Sequence, residues 1–480
     1  MAPSSLGSQE RPLRVAVVGS GPSGFYAVQA LFKAVDLHAR VDMFDRLPTP
    51  FGLVRGGVAP DHQKIKSVTR IYEELARDAR FRFFGGVMLG RDVQVADLAA
   101  HYDQIVYAVG NESDRKLGVP GEDLAGVHSA TAFVGWYNAH PDYLDQRFEL
   151  DRAHTVAVVG NGNVAMDVAR VLLKDPSALA DTDIADYALD ALRKSTVREV
   201  VLLGRRGPAQ AAFSPKEMEE IAALDDVDVV IDPDDATLDP LSAAWIETQP
   251  RSAQRNVKLL QELAAKGEGS ARKKLRCRFL VAPVELRGSD GRVEVVAVEH
   301  SHLVADDRGT PRPKGLGEVS EVPAQMVLKA VGYRGVPIPG VPFDGRAGII
   351  PNRDGRVLAS PEGAVVAGQY VVGWAKRGPT GLIGTNSPDS VATVQEMLKD
   401  LAGKTAAPLL PGEREAVPRL LAQRGVACVT WDDWRRLDAH EQARGRDKGK
   451  VRDKVYRLDE MLRLARGQGG NRDAEVEGHA

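Results

Sequence analysis

Val15-Ala-Val-Val-Gly19-Ser-Gly21-Pro-Ser-Gly24-Phe-Tyr-Ala27 decides the reading of this chain. An apolar, valine-rich run enters three glycines at G-x-G-x-x-G spacing, and a helical pattern follows with Ala27, Ala30 and Leu31 on one side. The pattern predicts strand, tight turn, helix. Gly19 permits the turn, Gly21 admits a pyrophosphate to the backbone, and Gly24 lets helix and strand pack closely. The helix N-terminus then turns free N–H groups and a partial positive charge toward the phosphates. A glycine turn alone serves equally as a structural βα connection. Its context favours a nucleotide: Val41-Asp-Met-Phe-Asp45 predicts a second strand ending in a carboxylate, placed to hold a ribose diol.

The pattern recurs. Thr155-Val-Ala-Val-Val-Gly160-Asn161-Gly162-Asn163-Val164-Ala165 opens another helical run, now as G-x-G-x-x-A. Two such turns in one chain imply two nucleotides, each with its own domain, in an α/β fold. The next predicted strand, Glu199-Val-Val-Leu-Leu-Gly204, ends in Arg205 and Arg206, where the first half carries Asp45. A carboxylate there would repel a 2′-phosphate, whereas paired guanidiniums offer it bidentate donors. The second nucleotide is therefore expected to be NADP(H) rather than NAD(H). A solvated strand edge is the plainer reading of two arginines.

The chain has 480 residues, long enough for two or three domains. Hydrophobic residues make up 43% and charged residues 27%, as in ordinary globular proteins, and the net charge of −3 gives no bulk attraction to nucleic acid. No apolar run is long enough to cross a bilayer. Residues 1–11 lack the apolar core of a secretory signal and are expected to form a loose leader. Cys277 and Cys428 stand far apart with no CxxC, which excludes a redox dithiol and a cluster held by cysteines of this chain alone. With no sign of export, this cysteine usage points to a reducing, cytoplasmic setting, an organelle matrix remaining open.

Residues 46–62 mix prolines and glycines with apolar side chains, so an irregular, cofactor-covering loop is expected. His62 closes it, ahead of a helical stretch over 65–79; a helix-capping or surface role competes with a catalytic one. Ser214-Pro215 predicts a helix start. Glu217, at the third helical position, is placed for a capping box as well as for chemistry. A further helix is expected within 175–198. Arg251, Arg255 and Lys258 lie at helix-face spacing, and Arg272, Lys273, Lys274, Arg276 and Arg278 form a denser run. Both are solvated faces or docking surfaces for an acidic partner. Strands separated by turns follow to about residue 330. Glycine-rich Gly373–Asn386 then precedes a helix, so a phosphate or a flavin edge could meet backbone N–H groups there, with Trp374 offering a flat face. Trp431–Trp434 is read as a turn, 441–454 is strongly charged, and the polar tail from about 467 is expected to be disordered.

Several blocks together resemble ferredoxin–NADP⁺ reductases of the adrenodoxin-reductase type: VVGSGPSGFYAVQAL, PFGLVRGGVAPDHQKIK, VYAVGNESDRKLGVPGED, VVGNGNVAMDVARVLL, GRRGPAQAAFSPKEMEEI and GWAKRGPTGLIGTNSPDS. They run in family order from residue 14 to about 400. Asp45 stands where the family usually has glutamate, and Asn161 where glutamine is frequent. The resemblance implies two Rossmann-like dinucleotide-binding domains. The FAD domain would be discontinuous, over 1–113 and 333–480, with the NADP domain inserted over 114–332. It implies FAD contacts from the Gly19, Gly21 and Gly24 turn, Ser23, Asp45, Leu53, Val87, Trp374 and Gly381, Leu382 and Ile383. NADP contacts would come from Asn161, Gly162, Asn163, Val164, Arg205, Arg206, Glu217 and Gly381, with Arg115 joining them. His62 matches the family's active-site histidine. The implied reaction is hydride transfer from NADPH to FAD and single-electron delivery to an external ferredoxin, with no metal in this chain. His62 and Glu217 would orient the nicotinamide. Another electron acceptor, as in a monooxygenase or diaphorase, is the alternative; a binding protein without turnover is the non-enzymatic one.

Overall fold

The computed structural model describes residues 3–410 and 412–468. The tail expected from about 467 therefore lies almost wholly outside the described residues. The chain divides into two compact units. One comprises residues 1–58, 62–113 and 332 onward; the other comprises 59–61 and 114–331.

In the first unit, β1 (Leu13–Val18) leads through the glycine turn into α1 (Pro22–Lys33) and β2 (Ala39–Asp45). A one-turn helix, α2 (Leu53–Gly56), interrupts the loop expected to be irregular. Its reason is local: Val54 and Gly56 are buried while the flanking glycines release the chain on either side. Helical structure after His62 is split into Gln63–Lys66 and Thr69–Leu75 rather than continuous. β3 (Phe81–Gly85) and β4 (Gln104–Tyr107) complete the first pass.

The second unit runs through β5 (Val127–Ser129), β6 (Thr155–Val159), α3 (Asn163–Leu173), β7 (Glu199–Leu203), α4 (Pro215–Ala222), β8 (Val227–Ile231), α5 (Arg251–Lys266) and β9 (Lys273–Arg278). The segment 175–198 forms a short 3₁₀ turn, Pro176–Leu179, and a helix, Asp186–Arg193, in place of one longer helix. An antiparallel meander follows: β10 (Val281–Ser289), β11 (Arg292–Ala305) and β12 (Pro311–Pro323); β13 (Met326–Lys329) closes the unit. The main sheet has the order β8-β9-β7-β6-β13-β5, and every pairing is parallel. Its central strands are continuous apolar runs, as burial on both faces requires.

The chain then returns to the first unit with β14 (Asn352–Arg353), β15 (Arg356–Leu358), β16 (Val365–Val371), α6 (Trp374–Arg377) and α7 (Asn386–Lys399). That sheet runs β14-β15-β16-β4-β1-β2-β3. α7 lies along α1, where Ser390 Oγ donates to the Ser23 carbonyl at 2.9 Å. Trp431–Trp434 is not a turn but the start of α8 (Trp431–Asp447), because Thr430 and Asp433 form a reciprocal cap. Trp434 packs against Phe51 in a cluster with Phe25 and Tyr72. Each such buried aromatic or aliphatic side chain contributes about 1.5–3 kcal/mol. The expected loose leader is ordered over the described residues: Ser4–Ser5 pairs with Thr405–Ala406, and buried Arg11 forks onto Asp103 at 2.8 and 3.0 Å. Among the described residues no helix is long and apolar enough to cross a membrane.

Candidate nucleotide sites

In the first unit β1 lies between β4 and β2, so the sheet order reverses at its end, the place where open α/β sheets bind ligands. Gly19 has φ +103°, and a Cβ there would lie 2.4 Å from the Ala108 carbonyl oxygen. At Gly24 a Cβ would lie 2.3 Å from the Gly19 oxygen, so only glycine allows helix and turn to meet. Gly21 differs: a Cβ would meet nothing within 4 Å, and the same holds at Gly110 beyond β4. These two glycines leave the backbone bare toward the crevice, as a pyrophosphate requires.

Asp45 does more than the sequence indicated. Its carboxylate accepts the Ser20 N–H and O–H at 2.9 and 2.6 Å and the Leu47 N–H at 2.9 Å. It ties the glycine turn to the following loop. Val87 is buried and its N–H donates to the Asp45 carbonyl at 2.8 Å. The loop from Arg46 crosses Gly21: a Cβ on Gly52 would lie 3.1 Å from the Gly21 Cα.

Arg55, on α2, is held from the far end of the chain. It forks onto Glu441 of α8 at 2.8 and 2.5 Å, and Arg452 joins the same carboxylate at 2.9 Å. Lys454 Nζ donates to the Arg55 carbonyl at 3.1 Å. Glu441 is fully buried; burial favours its neutral form, but Arg55 and Arg452 hold the carboxyl below the usual range. The charged 441–454 stretch is therefore an internal clamp on the loop that carries α2, with Leu53 partly exposed beside it.

Gly373–Asn386 forms a second covering loop in this unit. A Cβ on Gly373, at φ +70°, would lie 2.6 Å from Ser23 Oγ. The Trp374 indole N–H donates to the Thr380 carbonyl at 3.1 Å, which fixes the ring. Tyr333 lies 5.2 Å from it, centroid to centroid. Gly381 and Leu382 are exposed, and Ile383 packs on the core. His62 is buried, with 8% of its surface exposed, which removes the surface-histidine alternative. Its side chain also makes no cap on the helix that follows.

In the second unit Gly160 repeats the Gly19 geometry: φ is +130°, and a Cβ would lie 2.4 Å from the Ala330 oxygen. Gly162 is open, like Gly21. The buried Asn161 Nδ2 has no hydrogen-bond partner, and a Cβ on Gly204 would lie 3.1 Å from it. An unused donor therefore sits at the end of β7, beside the two arginines. Val164 lies in the first turn of α3, and Arg115 is exposed near the start of the unit.

Charge pairing separates the basic residues. Arg272 pairs with Asp226, Lys274 with Glu268, Arg276 with Glu199 and Arg278 with Asp235. Four of the five cations of the dense run, most of which forms the strand β9, therefore have carboxylate partners in the same unit. Arg205 and Arg206 have no carboxylate partner among the described residues. The Arg206 guanidinium is pushed below its ordinary value, by burial and then by the charges of Arg205 and Arg312. An anion beside these groups would favour their charged forms. The residues at both glycine turns therefore fit dinucleotides, the second of them 2′-phosphorylated.

Glu217 does not form the capping box. Ser214 makes no side-chain cap; its N–H donates instead to Asn163 Oδ1 at 2.8 Å. Glu217 Oε2 accepts from Arg170 at 2.9 Å. Arg170, on α3 and 2% exposed, also binds Asp61 at 2.9 and 3.0 Å and Asp167 at 2.6 Å. Lys174 reaches Asp61 at 3.0 Å. Burial raises the Asp61 carboxyl, but Arg170 and Lys174 overcome it and hold the group far below the usual range. The sequence reading missed Arg170. Its signal is a lone cation on the inner face of α3, at helical spacing from Met166 and Leu173. Cys277 and Cys428 are unpaired, and burial pushes both thiols up to about 12, so neither carries redox chemistry as a thiolate at neutral pH.

Comparison with known proteins agrees with this geometry. Residues 13–223 match the family model described as pyridine nucleotide-disulphide oxidoreductase. The chain is 47% identical over 465 residues to NADPH-ferredoxin reductase FprA of Mycobacterium tuberculosis, covering 95% of this chain and all of that one. It is 42% identical to the mitochondrial NADPH:adrenodoxin oxidoreductase of Homo sapiens, over 95% of this chain and 93% of the relative. The solved structure of Mycobacterium tuberculosis FprA in complex with NADPH superimposes with a TM-score of 0.89 at 46% identity, covering 95% of this chain and 100% of that one.

Proposed function

Because the chain belongs to the family of NADPH-ferredoxin and NADPH:adrenodoxin reductases, we propose that it is an FAD-dependent oxidoreductase passing electrons from NADPH to a ferredoxin-type protein. The observation that carries this reading is the pair Arg205–Arg206, without carboxylates among the described residues, beside a glycine turn left open at Gly162. FAD, when bound, accepts a hydride and returns electrons singly, which matches a two-electron donor to a one-electron acceptor.

The chain's own part is binding and orientation. Bare backbone at Gly21 and Gly110 receives the FAD pyrophosphate, and Asp45 takes the ribose while holding Ser20. Ser23, Leu53, Val87, Trp374, Leu382 and Ile383 line the flavin. Asn161, Gly162, Asn163 and Val164 meet the NADP pyrophosphate, Arg205 and Arg206 its 2′-phosphate, and Arg115 the same coenzyme. His62 and Glu217 are assigned the nicotinamide carboxamide, where orientation sets the rate. Arg251, Arg255 and Lys258 on α5 are the proposed ferredoxin-docking cations. Arg255 and Lys258 pair with Glu219 and Glu262 at the surface, and such exposed contacts exchange at little cost. The cytoplasmic setting rests on the same sequence reading as before.

The test is purification, an absorbance spectrum, and anaerobic NADPH titration followed by ferredoxin with cytochrome c. The reading predicts a yellow protein bleached by NADPH and reoxidised by ferredoxin. A protein that cannot be loaded with flavin would end it.

A further inference from the structure

The meander of the second unit is seated on the Arg205–Gly207 turn. Leu280, just before β10, has φ +54°, a left-handed conformation that is uncommon for leucine. Its N–H donates to the Arg206 carbonyl at 3.2 Å, and its own carbonyl accepts the Ser301 N–H at 2.8 Å. Gly207 has no side chain, and a Cβ there would lie 3.5 Å from Leu303 Cδ1. The end of β11 is thus laid against Gly207, the residue that follows the two arginines. In the β11–β12 register Val304 stands opposite Arg312.

Asp306 organises the hairpin between these strands. One carboxylate oxygen accepts the Arg308 and Thr310 N–H groups at 3.0 and 2.8 Å, and the other accepts Arg312 Nε at 2.9 Å. Only Nε of Arg312 is engaged; its terminal nitrogens donate to no group among the described residues. The side chain is 52% exposed, and its charge acts on Arg206.

We propose that Arg312 is the third cation of the 2′-phosphate site and helps set the preference for NADPH over NADH. The proposal rests on the reading of Arg205 and Arg206 as phosphate ligands and adds a residue from a separate strand. A phosphate monoester carries about −1.5 to −2 charge at pH 7 and three strong acceptor oxygens, more than two forks need satisfy alone. Asp306 has two effects: it fixes Arg312 through Nε, leaving the terminal N–H groups for the ligand, and its own charge opposes the phosphate.

The test is calorimetric binding of 2′,5′-ADP and 5′-AMP to the FAD-loaded enzyme. Arg312→Ala should weaken 2′,5′-ADP about five- to tenfold relative to 5′-AMP, as for a partly exposed charge-assisted contact. Arg312→Lys should recover part of that loss. The flavin spectrum reports that each variant is folded. Wild-type selectivity in both Arg312 variants would overturn the proposal. Arg205→Ala/Arg206→Ala is the control. If it loses 2′,5′-ADP while Arg312→Ala does not, the third cation alone is wrong; if it too binds normally, the phosphate reading of the whole turn is wrong.

Discussion

Asn163 Oδ1 accepts the Ser214 N–H at 2.8 Å, and this one bond takes over the backbone donor that a capping-box glutamate at 217 would have received. Glu217 is thereby released to Arg170. Asn163→Ala should remove the acceptor of the Ser214 N–H and cost about 1 kcal/mol of stability. It should also raise KM for NADPH, because Glu217 regains a competing partner. Thermal unfolding and steady-state kinetics read the two effects; unchanged values in both would refute the exchange.

Arg170 is nearly inaccessible and serves several carboxylates, so Arg170→Ala strips Glu217 of its Arg170 bond and leaves Asp61 with Lys174 as its remaining cation among the described residues. Breaking such a network costs about 3–5 kcal/mol. Urea denaturation should show a lower midpoint, with Arg170→Lys intermediate because lysine lacks the fork.

The Asp61 carboxyl is held below its ordinary value in the folded state, chiefly against its burial, by Arg170 and Lys174. A depressed carboxylate contributes stability that is complete above the unfolded pKa and is lost as pH falls below it. The wild-type protein should therefore lose stability below about pH 4, the ordinary aspartate value. Asp61→Asn should be less stable than wild type at pH 7, and the difference should shrink toward pH 3. A difference independent of pH would contradict the ion pair.

Glu441→Gln removes the charge that Arg55 and Arg452 share. The loop carrying Leu53 should loosen, and FAD should dissociate more readily. Flavin fluorescence on heating should appear at a lower temperature than global unfolding. Simultaneous release and unfolding, as in wild type, would reduce the clamp to a stability element.

Arg205→Ala/Arg206→Ala should raise KM for NADPH by orders of magnitude and hardly alter NADH kinetics, each charge-assisted contact being worth about 1.5–3 kcal/mol. His62→Gln should slow flavin reduction in stopped flow while FAD stays bound. Equal loss with both coenzymes would contradict the phosphate assignment, and wild-type reduction would remove His62 from the chemistry.

Both glycine turns were legible because each requirement is local: Gly19 and Gly160 need positive φ, and Gly24 must clear a carbonyl four to five residues away in the same turn. The helix start at Ser214-Pro215 was legible for the same reason. The one-turn helix at Leu53–Gly56 was hidden, because its flanking glycines mask a short apolar pattern. The helix start at Trp431 is hidden between two tryptophans, because its cap depends on the pairing of Thr430 with Asp433. The pairing of the basic run at 272–278 was not legible, because its partners Asp226, Glu199 and Asp235 are scattered along the chain.

By itself the sequence determined two strand–turn–helix units, two adjacent cations at the end of the strand that follows the second turn, and no CxxC pair. Backbone sterics and side-chain periodicity act over a few residues, so they can be read in order along the chain. Only the tertiary structure decided which charges are spent and which are available. Arg278 is neutralised by Asp235 while Arg205 and Arg206 are not, and Glu217 answers to Arg170 rather than to its own helix. Coulombic and hydrogen-bond pairing depends on distance through space and on burial, and neither is defined until the sheets have assembled.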